Sequence, residues 1–442
     1  MSKPAHSSDP RQVAAGVVKQ VLAQDGFSNL VLSHALSKSN LSGPDKALCT
    51  ELVYGTLRWK SALETSLRRA LDKPNQKIDE AIWPHLLVAA YQLQYLSEKI
   101  PAYAAVNSAV NAVKRVRAYL GGFANAILRR IGSPLYLSLK TDQLDLKQWS
   151  EAFALPEFFV EALAQSLPKE ELYAACLSMN ERPSVWLRHL DEKSILNDEV
   201  KSHEFVPGAF SFLRSGLVSE QADFKEGRYF VQDPASQVAA LLLAPSKGAF
   251  VVDCCAAPGS KSLILKYAVG EQGRVLAVDQ TEAKIQRIQE NFFRMGMRVE
   301  TRVGDARSLG DDVSLQNKAD AVLLDAPCSG LGTLRRHPEI KFKRTKESIQ
   351  ELVALQAELF RSAAACVKPG GVLVYSVCSP MPEEGREQVA LFLQKHPEFV
   401  LERADATLPW LPADAVDGAG HVVLWPHRHE CDAFFAARLR KR

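Results

Sequence analysis

Residues 251–262 read V-V-D-C-C-A-A-P-G-S-K-S: a short apolar run, an acid, then a turn of small residues opening onto a lysine. A bounded, β-branched apolar run reads as a buried strand, and small residues after it allow close backbone approach at a helix start. The pattern repeats outward from there. Apolar strand runs fall at 249–255, 275–278, 299–303, 321–324 and 371–377, with helical segments at 261–268, 282–295, 348–367 and 383–395. Strands apolar on both faces and alternating with helices predict a parallel sheet covered on both sides, an α/β Rossmann-like domain over 229–442.

The chain of 442 residues is long enough for two or three domains. Upstream of the sheet the periodicity is helical. Val13, Val17, Val18 and Val21, then Leu30, Leu32 and Leu36, recur at helical spacing, Pro101 starts a helix and Gly121-Gly122 breaks before another. Residues 1–135 are expected to form an all-α domain. Residues 136–228 read as a small mixed connector with helical patterns at 155–180 and a short strand at 185–188.

Net charge is only +3, but residues 1–135 carry 17 Lys or Arg against 9 Asp or Glu, which leaves the remainder acidic. Lys114, Arg115, Arg117, Arg129 and Arg130 lie in a stretch, 101–134, with no acid. A basic front domain on a near-neutral chain points to a polyanion, nucleic acid above all. The N-terminal run M-S-K-P-A-H-S-S-D-P is polar, and no apolar run of spanning length occurs, so a cytoplasmic protein without membrane attachment is expected. The eight cysteines form no C-x-x-C pair, so neither a metal site nor disulfides are expected.

Ligands of an open parallel sheet sit beyond the carboxyl ends of its strands. Asp253, Asp279, Asp305 and Asp325 fall at four successive strand ends, spaced 26, 26 and 20 residues apart. Asp279 stands where dinucleotide folds hold a ribose hydroxyl pair, and Asp305 can accept from an adenine amino group. The loop Cys255-Ala256-Ala257-Pro258-Gly259-Ser260-Lys261 is neither G-x-G-x-x-G nor a P-loop, and the carboxylates disfavour a polyphosphate. An adenosine ligand with a cationic tail fits, and S-adenosylmethionine is such a ligand. Taken alone, Asp253 reads equally well as a helix N-cap.

Two cysteines share this rim: Cys328 in L-D-A-P-C-S-G past the fourth strand, and Cys378 in V-Y-S-V-C-S-P past the fifth. Carbon 5 of cytosine is a poor nucleophile, but a thiolate adding to carbon 6 turns the ring into an enamine that accepts a methyl group. A base must then remove the carbon 5 proton so that the thiolate can leave. Asp325 can serve the ring nitrogen at position 3. Spacing alone leaves open which cysteine attacks. Cys49, Cys176, Cys254, Cys255 and Cys366 are expected to pack or support the backbone.

The segments Asp325-Ala-Pro-Cys328-Ser-Gly, Tyr375-Ser-Val-Cys378-Ser-Pro, Pro382–Glu384, Phe230–Ser236 and Arg335–Lys341 resemble motifs of the RNA (cytosine-5) methyltransferases of the NOL/NSUN/Sun superfamily. Within it, the chain is most similar to the bacterial RsmB (Sun/Fmu) group acting on 16S rRNA. Glu51–Arg58, Ala105–Val110 and Gly122–Arg130 resemble the NusB-like helical domain in front of that group. The resemblance implies a class I S-adenosylmethionine-dependent methyltransferase domain with a seven-stranded sheet. It implies that Cys255–Lys261, Asp279, Asp305 and Asp325 line the cofactor or active site, that Cys378 attacks and that Cys328 aids release. The chain departs from the family at Ser260 and Ser262, where A-P-G-G-K-T is common, at Gly385 for asparagine and at Phe342 for tryptophan. The expected partner is 16S rRNA, naked or in an early small-subunit particle, bound by a monomer. The rivals are a tRNA cytosine-5 methyltransferase, a non-catalytic NusB-like RNA-binding regulator, which would fail to bind S-adenosylmethionine, and a small-molecule methyltransferase, which the basic front disfavours.

Overall fold

The computed structural model describes residues 9–23, 26–73, 76–142, 144–190, 200–213 and 218–442. Most of the polar N-terminal run, and parts of the mixed stretch 189–225, lie outside the described residues. The chain forms two compact units: Met1–Arg182 with Leu334–Arg344, and Pro183–Thr333 with Thr345–Arg442. The sequence boundaries at 135 and 228 thus fall inside these units, with 136–182 packing in the first and 183–228 in the second.

The first unit is helical from Pro10–Ala23 to Lys169–Ser178. Val17, Val18 and Val21 are buried, as their spacing predicts, together with Leu52, Leu57, Leu63 and Leu67. Leu30 departs from the expectation: it is 57% exposed, while Leu32 on the same helix is buried. A short amphipathic helix covers only part of its apolar set. Gly55 is obligatory, because a Cβ there would lie 2.0 Å from the Tyr91 ring. Leu334–Arg344 completes this unit through buried polar contacts. Glu339, 1% exposed, accepts from the Ser28 amide at 3.1 Å and hydroxyl at 2.7 Å. Arg58 Nε donates to the Arg335 carbonyl at 2.9 Å, and Lys341 Nζ donates to the Arg58 carbonyl at 2.7 Å and to Asn180. Burial holds the Lys341 ammonium well below the ordinary lysine range.

The second unit opens with a small antiparallel sheet, order β2-β3-β1-β4, of β1 (Trp186–His189), β2 (Val200–Ser202), β3 (Ala209–Phe212) and β4 (Tyr229–Val231). The large sheet holds β5 (Phe250–Asp253), β6 (Arg274–Asp279), β7 (Glu300–Val303), β8 (Ala319–Asp325), β9 (Val367–Val377), β10 (Phe399–Glu402), β11 (Val422–Leu424) and β12 (Phe434–Lys441). Its order is β10-β12-β9-β8-β5-β6-β7, with β11 added against β12. The five strands from β5 to β9 pair in parallel, as expected; β12 runs antiparallel to β9 and β10. This is the expected seven-stranded sheet with one further strand, β11.

Alternation places the strand residues on two faces. Val251, Val275, Ala277, Leu323 and Val374 face one core, and Val252, Leu276, Val278, Leu324 and Tyr375 face the other. The helices are begun by side-chain caps: Asp233 for Pro234–Leu243, Thr281 for Glu282–Arg294, and a Thr345/Ser348 capping box for Lys346–Cys366. Ile285, Ile288 and Phe292 are the buried stripe of Glu282–Arg294. Among the described residues no helix is long and apolar enough to cross a membrane.

Candidate active site

Strand register fixes the rim. Asp253 pairs with Leu323 and Ala277, so Asp325 and Asp279 each lie two residues beyond it on the neighbouring strands. Asp279 pairs with Val303, which puts Asp305 two residues past that level, and Asp325 pairs with Ser376, two residues before Cys378. The four carboxylates then take different positions. Asp253 turns inward, fully buried, and accepts from Ser262 Oγ at 2.6 Å. It does not cap the following helix, whose N-cap is Gly259. Burial pushes its carboxyl up to about 7, against the opposing pull of Ser262 and Lys261.

Asp279 anchors the small-residue loop. Its carboxylate accepts from the Ala257 amide at 2.9 Å, the Gln280 amide at 2.8 Å and Lys284 Nζ at 2.8 Å. Ala256 is tied by its amide to the Val278 carbonyl, and the Pro258 carbonyl accepts from Asn291. Gly259 has φ +97°, and a Cβ there would sit 3.2 Å from Ile288. Only glycine meets both demands without strain. Ser260 starts the helix Ser260–Val269, and Cys255, half-buried at the turn, has its thiol pushed up by burial and by the nearby carboxylates. Asp305 caps the short 3-10 helix Ala306–Asp311 and pairs with Arg307 at 2.5 Å, which holds its carboxyl below the ordinary range. The donor set therefore suits S-adenosylmethionine. Carboxylates at successive strand ends can accept from ribose hydroxyls and an adenine amino group, beside a loop of small residues, with no cradle for phosphate.

Asp325 is held from two sides, by Lys261 Nζ at 2.6 Å and Ser376 Oγ at 2.7 Å. Burial opposes the Lys261 charge, but Asp325, Asp253 and Cys378 outweigh it and hold the ammonium above its ordinary range. Lys261, read from sequence as part of the cofactor loop, thus also serves the cysteine side of the rim. The two sulfurs, Cys328 Sγ and Cys378 Sγ, lie 3.3 Å apart. Cys328 is held as a thiol, first by its hydrogen bond to Cys378, then by burial and by the fields of Cys378 and Glu384. Cys49, Cys176, Cys254 and Cys366 are buried, as expected of packing cysteines, and so is Cys431.

Sequence reasoning missed Ser376, Ser329, Ser379 and Gln356, and it gave Glu384 only as part of a family run. The available signal was polarity in the wrong place: Ser376 interrupts an apolar strand, and a serine follows each rim cysteine. On the first unit, charge counting overstated the free positive surface. Arg117 pairs with Asp79 at 3.1 Å and Arg130 with Asp72 at 2.5 Å.

Residues 240–440 match the family described as 16S rRNA methyltransferase RsmB/F, and residues 8–133 match the NusB family. The probable ribosomal RNA small subunit methyltransferase B of Synechocystis sp. is 31% identical over 444 residues, covering 98% of this chain and 99% of the relative. The ribosomal RNA small subunit methyltransferase B of Pasteurella multocida is 33% identical, covering 98% of this chain and 96% of its own. The crystal structure of a methyltransferase homolog protein from Pyrococcus horikoshii shares the fold, with a TM-score of 0.56 at 23% identity over 67% of this chain and 99% of that one.

Proposed function

Because the chain belongs to the RsmB/F family of 16S rRNA methyltransferases, enzymes that use S-adenosylmethionine, we propose that it methylates carbon 5 of a cytosine in 16S rRNA through a covalent bond to Cys378. The observation that carries this reading is the pair of thiols 3.3 Å apart on the rim that also holds the Lys261–Asp325 ion pair. Bound S-adenosylmethionine supplies the electrophilic methyl group. The loop Cys255–Lys261 with Asp279 and Asp305 holds the cofactor.

Cys378 Sγ gives up its proton and adds as thiolate to carbon 6 of the ring. Asp325, oriented by Lys261 and Ser376, relays a proton to ring nitrogen 3 as negative charge develops there and takes it back on release. Carbon 5 then becomes nucleophilic and accepts the methyl group. Cys328, its own proton first given up to solvent, takes the carbon 5 proton as thiolate, the ring double bond reforms, and the carbon–sulfur bond breaks to return Cys378 as thiolate. The order of events is built into the pair. While Cys378 is free, their hydrogen bond is the largest cause holding the Cys328 proton. Once Cys378 is a thioether that cause is gone, and Cys328 can release its proton to solvent and act as the base.

The basic helical region, residues 1–135, holds the rRNA backbone and sets its orientation. The target base must leave its stack to reach the rim, which single-stranded or looped RNA makes easy. The protein works as a cytoplasmic monomer on naked rRNA or an early small-subunit particle. Tritium release from carbon 5 of labelled cytosine tests the reaction. Cys378→Ala abolishes turnover, whereas Cys328→Ala accumulates an RNA–protein adduct that survives denaturing gels. Retained turnover in the first with no adduct in the second sinks the assignment.

A further inference from the structure

Glu384 is fully buried, sits on no strand, and has a carboxylate surrounded by donors from both cysteine loops. Oε1 accepts from the Ser329 amide at 2.7 Å and Gln356 Nε2 at 3.1 Å. Oε2 accepts from Ser329 Oγ and Ser379 Oγ, each at 2.5 Å. Ser329 directly follows Cys328, and Ser379 directly follows Cys378.

The serine oxygens are themselves tied into their loops. Ser329 Oγ accepts from the Leu331 amide at 3.4 Å, and Ser379 Oγ from the Met381 amide at 3.2 Å. Each hydroxyl thus accepts from its own turn and donates its single proton to the shared carboxylate. The clamp is braced from behind. Gln356 also donates to the Pro327 carbonyl at 3.0 Å, on the residue before Cys328. Tyr375, on β9, donates to the Glu384 carbonyl at 2.6 Å. Four donors on one buried carboxylate make a rigid, fully satisfied node.

Building on the roles given above to the two cysteines, we propose that Glu384 is the positioning residue for both, its carboxylate fixing the Cys328 loop against the Cys378 loop so that attack and release occur from one geometry. Catalytic groups must be held within fractions of an ångström, and a misplacement of about 1 Å can cost roughly 100-fold in rate. The two serine hydroxyls also lie 3.0 Å from each other, so Glu384 holds together loops that already meet at their serines. The electrostatic field of Glu384 also helps keep Cys328 a thiol before attack.

The test uses the full chain and RNA carrying 5-fluorocytosine, whose fluorine cannot leave as a proton does, so the enzyme stays bonded to the base. Trapping on the wild-type enzyme examines the cysteine roles by themselves; if none occurs, that reading fails whatever Glu384 does. Glu384→Gln is expected to slow trapping at least about tenfold, with S-adenosylmethionine affinity changed less than about twofold. A residue that merely stabilises the fold would lower the active fraction, not the rate per active site. The double variant Ser329→Ala with Ser379→Ala should be slowed similarly, and adding Glu384→Gln to it should cost little more, because all three act through one node. If Glu384→Gln fails to bind cofactor, Ser329→Ala, which leaves the carboxylate its other donors, is read in its place. Trapping within about twofold of wild type in the readable variant, or full additivity with the serine pair, overturns the proposal.

Discussion

Replacing Asp253 with asparagine should remove a pH-dependent weakness from the second unit. The carboxyl is fully buried, Ser262 Oγ is its hydrogen-bond donor at 2.6 Å, and Oδ1 has no partner among the described residues. Burial moves its pKa from 3.8 to about 7. Because the folded pKa lies above the unfolded one, this group's contribution is fully present below pH 3.8 and is lost as pH rises through about 7. The full shift corresponds to roughly 4 kcal/mol. Between about pH 5 and pH 8.5 the wild-type chain should lose roughly 2–3 kcal/mol of it, because over a third has already gone at the lower pH. The asparagine does not titrate; whatever its unpaired amide costs is the same at both pH values. For a domain of this size 1 kcal/mol moves the melting temperature by roughly 2–4 °C, so the variant should gain about 5–10 °C on wild type between the two pH values. Calorimetry of the full chain gives the comparison, reading the transition that S-adenosylmethionine raises. Equal differences at both pH values would mean that Asp253 is ionised throughout, and that Ser262 and Lys261 outweigh its desolvation.

Three further outcomes follow from the same geometry. Lys261→Gln removes the cation beside Asp325 and Cys378; turnover should fall at least about 100-fold, with near wild-type turnover counting against the ion pair. Gly259→Ala sets a Cβ against Ile288 at φ +97°, so it should cost about 1–2 kcal/mol and weaken S-adenosylmethionine binding in calorimetry, whereas unchanged binding would separate this turn from the cofactor. Glu339→Ala leaves the Ser28 amide and hydroxyl buried without their acceptor; the helical unit should lose about 2–3 kcal/mol, seen as a lower melting transition with cofactor affinity intact, and no shift would contradict the buried contact.

The sheet was legible because buried parallel strands announce themselves. Val251 and Val252 of β5, Val275–Val278 of β6, and Val322 and Leu323 of β8 are apolar on both faces, and each run ends on an acid. The antiparallel edge was not legible. β12 carries Arg438 and Arg440, which break an apolar reading, yet Glu402 takes both guanidiniums and the Leu242 and Leu243 carbonyls accept from Arg438. A partner 36 residues away cannot be inferred from local pattern. At the site, cysteines and aspartates stood out as reactive types at strand ends. Ser329, Ser379 and Gln356 did not, since a serine in a turn ordinarily caps its own loop. What distinguishes them is a carboxylate that arrives from a third segment. Arg335–Lys341 was legible as a family motif but not in its task, because Arg335, Glu339 and Lys341 look solvated on paper and are buried in the helical unit.

The path of the chain between the two units also sets an order of assembly during synthesis. Residues 1–182 leave the ribosome first, but the helical unit they begin is unfinished until 334–344 emerge. By then β5 to β8, the acids at their ends and Cys328 have all been made, while β9, Cys378 and Glu384 have not. At several residues per second, tens of seconds separate the first helix from the segment that supplies Glu339 and Lys341 to its neighbours. Through that interval the Ser28 amide and hydroxyl and the Asn180 side chain lack their acceptor and donor. A cut near residue 135 or 182 therefore leaves the contacts of Ser28 and Asn180 with this segment unmade. The last piece of that helical unit is encoded in the loop that follows Cys328.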